Sequence, residues 1–377
     1  MTTPSPPMTR ALGLAAQALF LSNPNPRVGC VITAPNGQVL GEGFTQQAGG
    51  PHAEVMALRD AEARSNNVRG ATAWVTLEPC AHQGRTGPCC DALIAAGIGK
   101  VMASLEDPNP LVAGQGFARL RAAGVVVEVG QGAAQSRELN LGFFSRMVRG
   151  TPWVRLKVAA SLDGTTALRN GASQWITSEA ARADGHAWRA RACAVLTGVG
   201  TVLADHPRLD VRAVSTPRQP HAVVLDSHLQ TPPVAPIFIA GRTCWIYAAG
   251  PFDTEADHSA FAARRQTLEA RGATVALLPG ADGRVDLKAV LHDLARRGVN
   301  ELHVEAGHTL NGALLDAGLV DELLLYLAPT LLGPGRGMAD RAPLADLAQG
   351  IPLEFGAVQA VGPDLRVLAR VHGRDRF

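Results

Sequence analysis

Aromatic residues are scarce in this chain of 377 residues, at 5% with only two tyrosines, and its 18% of charged residues nearly cancel to a formal net charge of +2. So few rings and so little charge exclude a broad nucleic-acid surface, which needs basic residues interleaved with stacking side chains. Any attraction for a ligand has to be local. Six cysteines (Cys30, Cys80, Cys89, Cys90, Cys193 and Cys244) are too sparse for the disulfide framework of a small secreted domain, and they point to a reducing cytoplasm. No apolar run approaches the ~20 residues needed to span a bilayer. "MTRALGLAAQALFLS" places Arg10 ahead of an apolar stretch, but Gln17 interrupts it and no A-x-A site follows. It reads as a buried first helix rather than a secretory leader. There is no internal repeat, and the G-x-G-x-x-G dinucleotide fingerprint is missing.

What is present is an apolar chain long enough for two cores, with 46% hydrophobic residues. "RVGCVITAPNGQVLGEGF" reads as two strands joined at an Asn-Gly turn. After it, "ATAWVTLEPC", "KVMASLEDP" and "VVVEVG" alternate as strands with the helical stretches "CCDALIAAG" and "GFARLRAAG". This predicts an α/β domain with a largely parallel sheet over residues 1 to about 145. At "RMVRGTPWVRLKVAASLDG" the pattern restarts, which puts a boundary near Gly150 and a second α/β domain over 151–377. Its strands read as "CAVLTG", "HAVVLD", "CWIYAA", "TVALLP", "ELHVEAG" and "ELLLYLAPTLLG", with a closing hairpin in "FGAVQAVGPDLRVLARVHG". The pattern does not give their order in the sheet.

"GPHAEVMALRDAE" sets His52 and Glu54 at a helix start, and "TLEPCAHQGRTGPCC" sets Cys80 at a strand end and Cys89 at the next helix start. One imidazole and two thiolates form a soft ligand set with an open fourth tetrahedral position, the arrangement of a catalytic zinc. Such a zinc lowers the pKa of water toward neutrality, and Glu54 would take that proton and pass it to a leaving nitrogen. The helix start at Cys89 helps to lower its thiol pKa. Cys90 is a spare that faces the core. The alternative is a structural zinc, or two buried thiols with a capping histidine.

The H-x-E, P-C and second Cys pattern resembles the zinc-dependent nucleobase deaminases. The eight-residue spacing of Cys80 from Cys89, with "C-x-H-x-G-R-T-x-P-C", "NPRVGCVI" and "DPNPLVAGQG", resembles the bifunctional riboflavin-biosynthesis deaminase/reductase family. That resemblance implies substrate contacts at Asn25, His82 and Arg85. Proline is common in the family where Gly87 stands, which implies a more flexible loop here.

In the second half, "GVGTVLADHP" and "LHVEAGHTLNGALL" each run from a strand into a glycine turn and a helix start, where backbone N–H groups can meet phosphate. Glycine turns of this kind are routine in α/β proteins. "KVAASLDG", "SQWITS", "GVGTVLADHPRLDVR", "VLDS" and "VEAGHTLNGALL" resemble the reductase half of the same family. The implied fold is a cytidine-deaminase-like three-layer N-terminal domain followed by a dihydrofolate-reductase-like C-terminal domain. The implied NADPH contacts are Ala159, Trp175, Thr201, Asp205, Ser227 and Gly307. The implied substrate contacts are Ser173, Arg189, Leu209, Arg212 and Glu305, with Arg189 and Arg212 suited to clamp a phosphate. His206 stands where aspartate is common. The resemblance implies deamination of a diamino-hydroxy-pyrimidine ribosyl phosphate, reduction of its ribosyl group by NADPH, and a homodimer formed through the reductase domains. A nucleoside deaminase with an accessory domain, or a zinc-stabilised binding module, remains open on the residues alone.

Overall fold

The computed structural model describes residues 3–81, 87–110, 112–250 and 254–377. Its chain divides into two compact units, Met1–Gly150 and Thr151–Phe377.

The first unit opens with α1 (Pro6–Gln17), which starts on a proline near its N-terminus and buries Met8, Ala11, Leu12 and Ala15. The hairpin β1 (Gly29–Thr33) and β2 (Val39–Phe44) follows, then α2 (Ala53–Ala63), β3 (Thr72–Val75), α3 (Cys89–Ala95) and β4 (Lys100–Ala103). The unit closes with α4 (Gln115–Ala122), β5 (Val126–Val129), α5 (Ala133–Leu139) and α6 (Leu141–Arg149). The sheet order is β2-β1-β3-β4-β5. It is not largely parallel: β1 runs antiparallel to both β2 and β3, and only β3, β4 and β5 are mutually parallel. The short turn after β1 forces the hairpin, whereas the helical crossovers after β3 and β4 return the chain in the same direction. Two glycines of β2 bring α2 close. A Cβ on Gly41 would lie 2.3 Å from Ala57 O, and one on Gly43 would lie 2.4 Å from Met56 Cβ.

The second unit runs β6 (Trp153–Ser161), β7 (Ala167–Leu168), α7 (Glu179–Arg191), β8 (Ala194–Gly198), α8 (Val199–Asp205), β9 (His221–Leu225) and β10 (Cys244–Ala248). Then come α9 (Glu255–Ala270), β11 (Ala273–Leu277), α10 (Leu287–Arg296), β12 (Glu301–Val304), α11 (His308–Asp316), β13 (Glu322–Ala328), β14 (Gly335–Arg336), β15 (Leu353–Val361) and β16 (Asp364–Val371). A nine-stranded sheet has the order β11-β10-β9-β8-β12-β6-β13-β16-β15, parallel until β13 and antiparallel in its last two strands. Residues alternate between two cores: Leu196 and Val223 face one, Val195 and Val224 the other. Both faces are therefore covered, as a parallel sheet requires. At the amino ends of its central strands, fully buried Arg155 pairs with Glu301 at 3.0 Å and Glu322 at 2.6 Å, under the ring of Trp188. Those charges can be buried only because each is paired.

Candidate active sites

In the first unit, α2 begins at Ala53 with His52 as its N-cap, so His52 and Glu54 are held at the same helix end. β3 leads to Cys80, and Cys89 opens α3. His52 Nδ1 lies 3.6 Å from Cys80 Sγ and 3.3 Å from Cys89 Sγ. All three ligand atoms fall within 4.8 Å of one another. A tetrahedral ion with zinc–sulfur bonds of about 2.3 Å and a zinc–nitrogen bond of about 2.0 Å sets its nitrogen and sulfur ligands about 3.6 Å apart. The donor set and its spacing fit zinc.

Glu54 is 3% exposed. Burial, then the Cys80 charge, raise its carboxyl to about 7. A hydrogen bond from Cys89 holds the Cys80 thiol well below its usual range, with His52 assisting, while Cys89 itself is pushed up. Thiolate ligands bind a metal deprotonated, so zinc binding would displace the proton that Cys89 otherwise shares with Cys80. Cys90 is buried, and its amide donates to Cys80 O at 3.2 Å. Asn25 sits in the turn before β1, its amide donating to Ser22 O at 2.8 Å. His82 and Arg85 lie outside the described residues. Gly87 is exposed, and a Cβ there would meet nothing within 4 Å.

In the second unit a cavity of about 1350 Å³ lies at the carboxyl ends of β6, β8, β9 and β12. This is where parallel α/β sheets hold ligands. All the residues singled out from the sequence of this half line it: Ala159, Ser173, Trp175, Arg189, Thr201 and Asp205, together with Leu209, Arg212, Ser227, Glu305 and Gly307. The volume suits a dinucleotide plus a small substrate. Gly198 and Gly307 cap the helices α8 and α11, and a Cβ on Gly307 would come within 3.9 Å of Thr201 Oγ1. The starts of α8 and α11 are therefore neighbours on the cavity lining, where backbone N–H groups can meet phosphate, and the lining fits NADPH. Trp175 is 68% exposed, with the Arg182 guanidinium 4.5 Å from its ring centroid. His206 and Leu209 both take left-handed backbone conformations, at φ 45° and 49°.

The two arginines do not stand ready as a phosphate clamp. Arg189 forms a bidentate pair with Glu305 and donates to Asp210 O at 3.0 Å, while Arg212 holds Asp210 Oδ1 at 2.7 Å. Arg189 keeps the Glu305 carboxyl well below its usual range against the opposing effect of burial. The sequence reading missed Lys157, His186 and Tyr326, which also line the cavity. Lys157 carried a signal, being a lysine inside the apolar strand "WVRLKVAAS"; burial lowers its pKa. Tyr326 is held by its hydroxyl on Asp184, which Arg366 also grips at 2.8 Å.

Comparison with known proteins gives the family of the chain and of its two halves. The family described as "RibD C-terminal domain" matches residues 152–367, more than half of the chain. The chain belongs to the RibD family. Residues 1–105 match the "cytidine and deoxycytidylate deaminase zinc-binding region". The chain is 45% identical to riboflavin biosynthesis protein RibD of Escherichia coli, over 95% of this chain and 96% of that one. It is 41% identical to RibD of Haemophilus influenzae, over 96% and 95%. Among solved structures, Acinetobacter baumannii RibD is similar at a TM-score of 0.85 and 41% identity, with 97% of each chain covered. The deaminase/reductase of Thermotoga maritima gives 0.83 at 31% identity, again over 97% of each. This RibD-family chain is thus a bifunctional enzyme of riboflavin biosynthesis, with a zinc-dependent deaminase domain and an NADPH-using reductase domain. No helix among its described residues is long and apolar enough to cross a membrane.

Proposed function

We propose that residues 1–150 deaminate 2,5-diamino-6-ribosylamino-4(3H)-pyrimidinone 5′-phosphate and that residues 151–377 then reduce its ribosyl group to ribityl. The observation that carries the reading is the pairing of a three-ligand set beside a buried glutamate in one unit with a dinucleotide-sized cavity in the other. Zinc on His52, Cys80 and Cys89 supplies a water acidic enough to attack at neutral pH, and NADPH supplies a hydride. Glu54 holds a proton out of reach of bulk solvent and delivers it to the departing amine nitrogen. Asn25, His82 and Arg85 contact the substrate in the deaminase.

In the reductase, Ala159, Trp175, Thr201, Asp205, Ser227 and Gly307 hold the cofactor, and Ser173, Arg189, Leu209, Arg212 and Glu305 hold the substrate. Arg189 exchanges Glu305 for the substrate phosphate, which accepts two parallel N–H groups as well as a carboxylate does. Six free thiols suit the cytoplasm. Homodimerisation is supported by β15, an edge strand of the nine-stranded sheet that leaves Phe355 76% and Val358 54% exposed.

The test is to give zinc-loaded protein this pyrimidine with and without NADPH, following ammonia and NADPH absorbance together. Ammonia without cofactor, and NADPH consumption only after deamination, are expected. Ammonia release at the wild-type rate from Glu54→Gln, with zinc retained, would overturn the role of Glu54.

A further inference from the structure

The turn that delivers Cys80 carries a second carboxylate that the chemistry above leaves unused. Glu78 is 4% exposed, and its two oxygens gather four backbone N–H groups from well downstream. Oε2 accepts from Asp107 at 3.2 Å and Gly114 at 2.9 Å; Oε1 accepts from Gly116 at 2.8 Å and Phe117 at 3.2 Å. Gly116 and Phe117 belong to the first turn of α4, whose own N-cap, Gly114, has no side chain to offer. The first amides of a helix find no acceptor within it, and a carboxylate there gains from both the hydrogen bonds and the helix dipole. Glu78 therefore caps α4 from a different element.

The contact is tight. A Cβ on Gly116 would lie 1.9 Å from Pro79 O and 3.1 Å from Glu78 Oε1. One turn on, Arg119 of α4 reaches Ala81 O at 3.3 Å and pairs at 2.7 Å with Asp91 of α3, the helix that Cys89 opens. Asp107 is 7% exposed, and its Oδ1 accepts the Asn109 amide at 2.8 Å. Cys80 itself is secured separately, by the Cys90 amide on its carbonyl at 3.2 Å and the Cys89 amide on its sulfur at 3.4 Å.

We propose that Glu78 is a positioning residue of the deaminase: by gathering four amides it fixes Asp107 and the start of α4 as the wall beside Cys80 against which substrate is held. Because the metal ligands have their own supports, loss of this clamp falls on substrate binding and not on zinc.

Glu78→Gln tests this, since its amide group would turn N–H donors toward N–H donors. Hydrogen exchange of the zinc-loaded protein should speed up by about tenfold or more at Asp107, Gly114, Gly116 and Phe117, while β1 and α2 are unchanged. The deaminase KM should rise about tenfold with kcat kept within about threefold and zinc stoichiometry unchanged. The kinetic arm rests on the substrate proposed above; the exchange arm does not. If the wild type releases no ammonia, that substrate is wrong and exchange alone decides on Glu78. Unaltered exchange would overturn the proposal, as would zinc and kcat lost together at an unchanged KM. Should Glu78→Gln fail to fold, Gly114→Ala strains the same clamp at a left-handed φ of 76° with no contact under 3.7 Å, and the same exchange pattern is expected.

Discussion

His303 lies on β12 below the reductase cavity, fully buried, with no hydrogen-bond partner for either ring nitrogen among the described residues. Its nearest counter-charge is Glu305 Oε1 at 3.5 Å, and Arg155, Arg189 and Lys157 surround it with positive charge. Burial first, then those cations, lower its pKa from 6.5 to about 3. A base whose folded pKa is depressed binds its proton in the unfolded chain first. Its contribution to stability is therefore complete above 6.5 and is lost as pH falls from there toward 3. Each pH unit in that window is worth about 1.4 kcal/mol, so moving from pH 7 to pH 5 costs roughly 2 kcal/mol. For a unit of this size that is about 4–8 °C in Tm.

His303→Leu replaces two unpartnered nitrogens by carbon at similar volume. It should cost little at pH 7 and remove this share of the acid sensitivity. Thermal unfolding of both proteins at the two pH values gives the answer, because carboxylates that titrate in the same range cancel in the difference. Equal losses of Tm in wild type and His303→Leu would refute the reasoning.

Arg189→Lys keeps the charge but cannot form the two parallel bonds, so the reductase KM for its phosphorylated substrate should rise about tenfold or more while NADPH affinity, read by fluorescence titration, stays unchanged. Gly41→Ala drives a Cβ to 2.3 Å from a backbone oxygen of α2. It should destabilise the deaminase unit by about 1–3 kcal/mol in calorimetry and lower ammonia release, since α2 carries Glu54. Chelation should abolish ammonia release yet leave NADPH oxidation with already deaminated substrate intact, because the metal ligands all lie in the first unit and the cavity is lined by the second alone.

The zinc ligands were legible because zinc chemistry restricts the residue types, and the family spacing around "TLEPC" ties them together. The hairpin at Asn36-Gly37 and the strands of the second half were legible because their side-chain patterns are local. By itself the sequence thus determined the element types, the ligand set and the chemistry that those side chains can perform. Tertiary structure alone decided the rest. The β1–β3 pairing is antiparallel because strand order and direction depend on how crossovers pack, which no local pattern records. Arg189 meets Glu305 across 116 residues, and Glu78 caps α4 across 38. Burial likewise lowers the pKa of Lys157 and His303, since a side chain's titration depends on what the fold stacks around it.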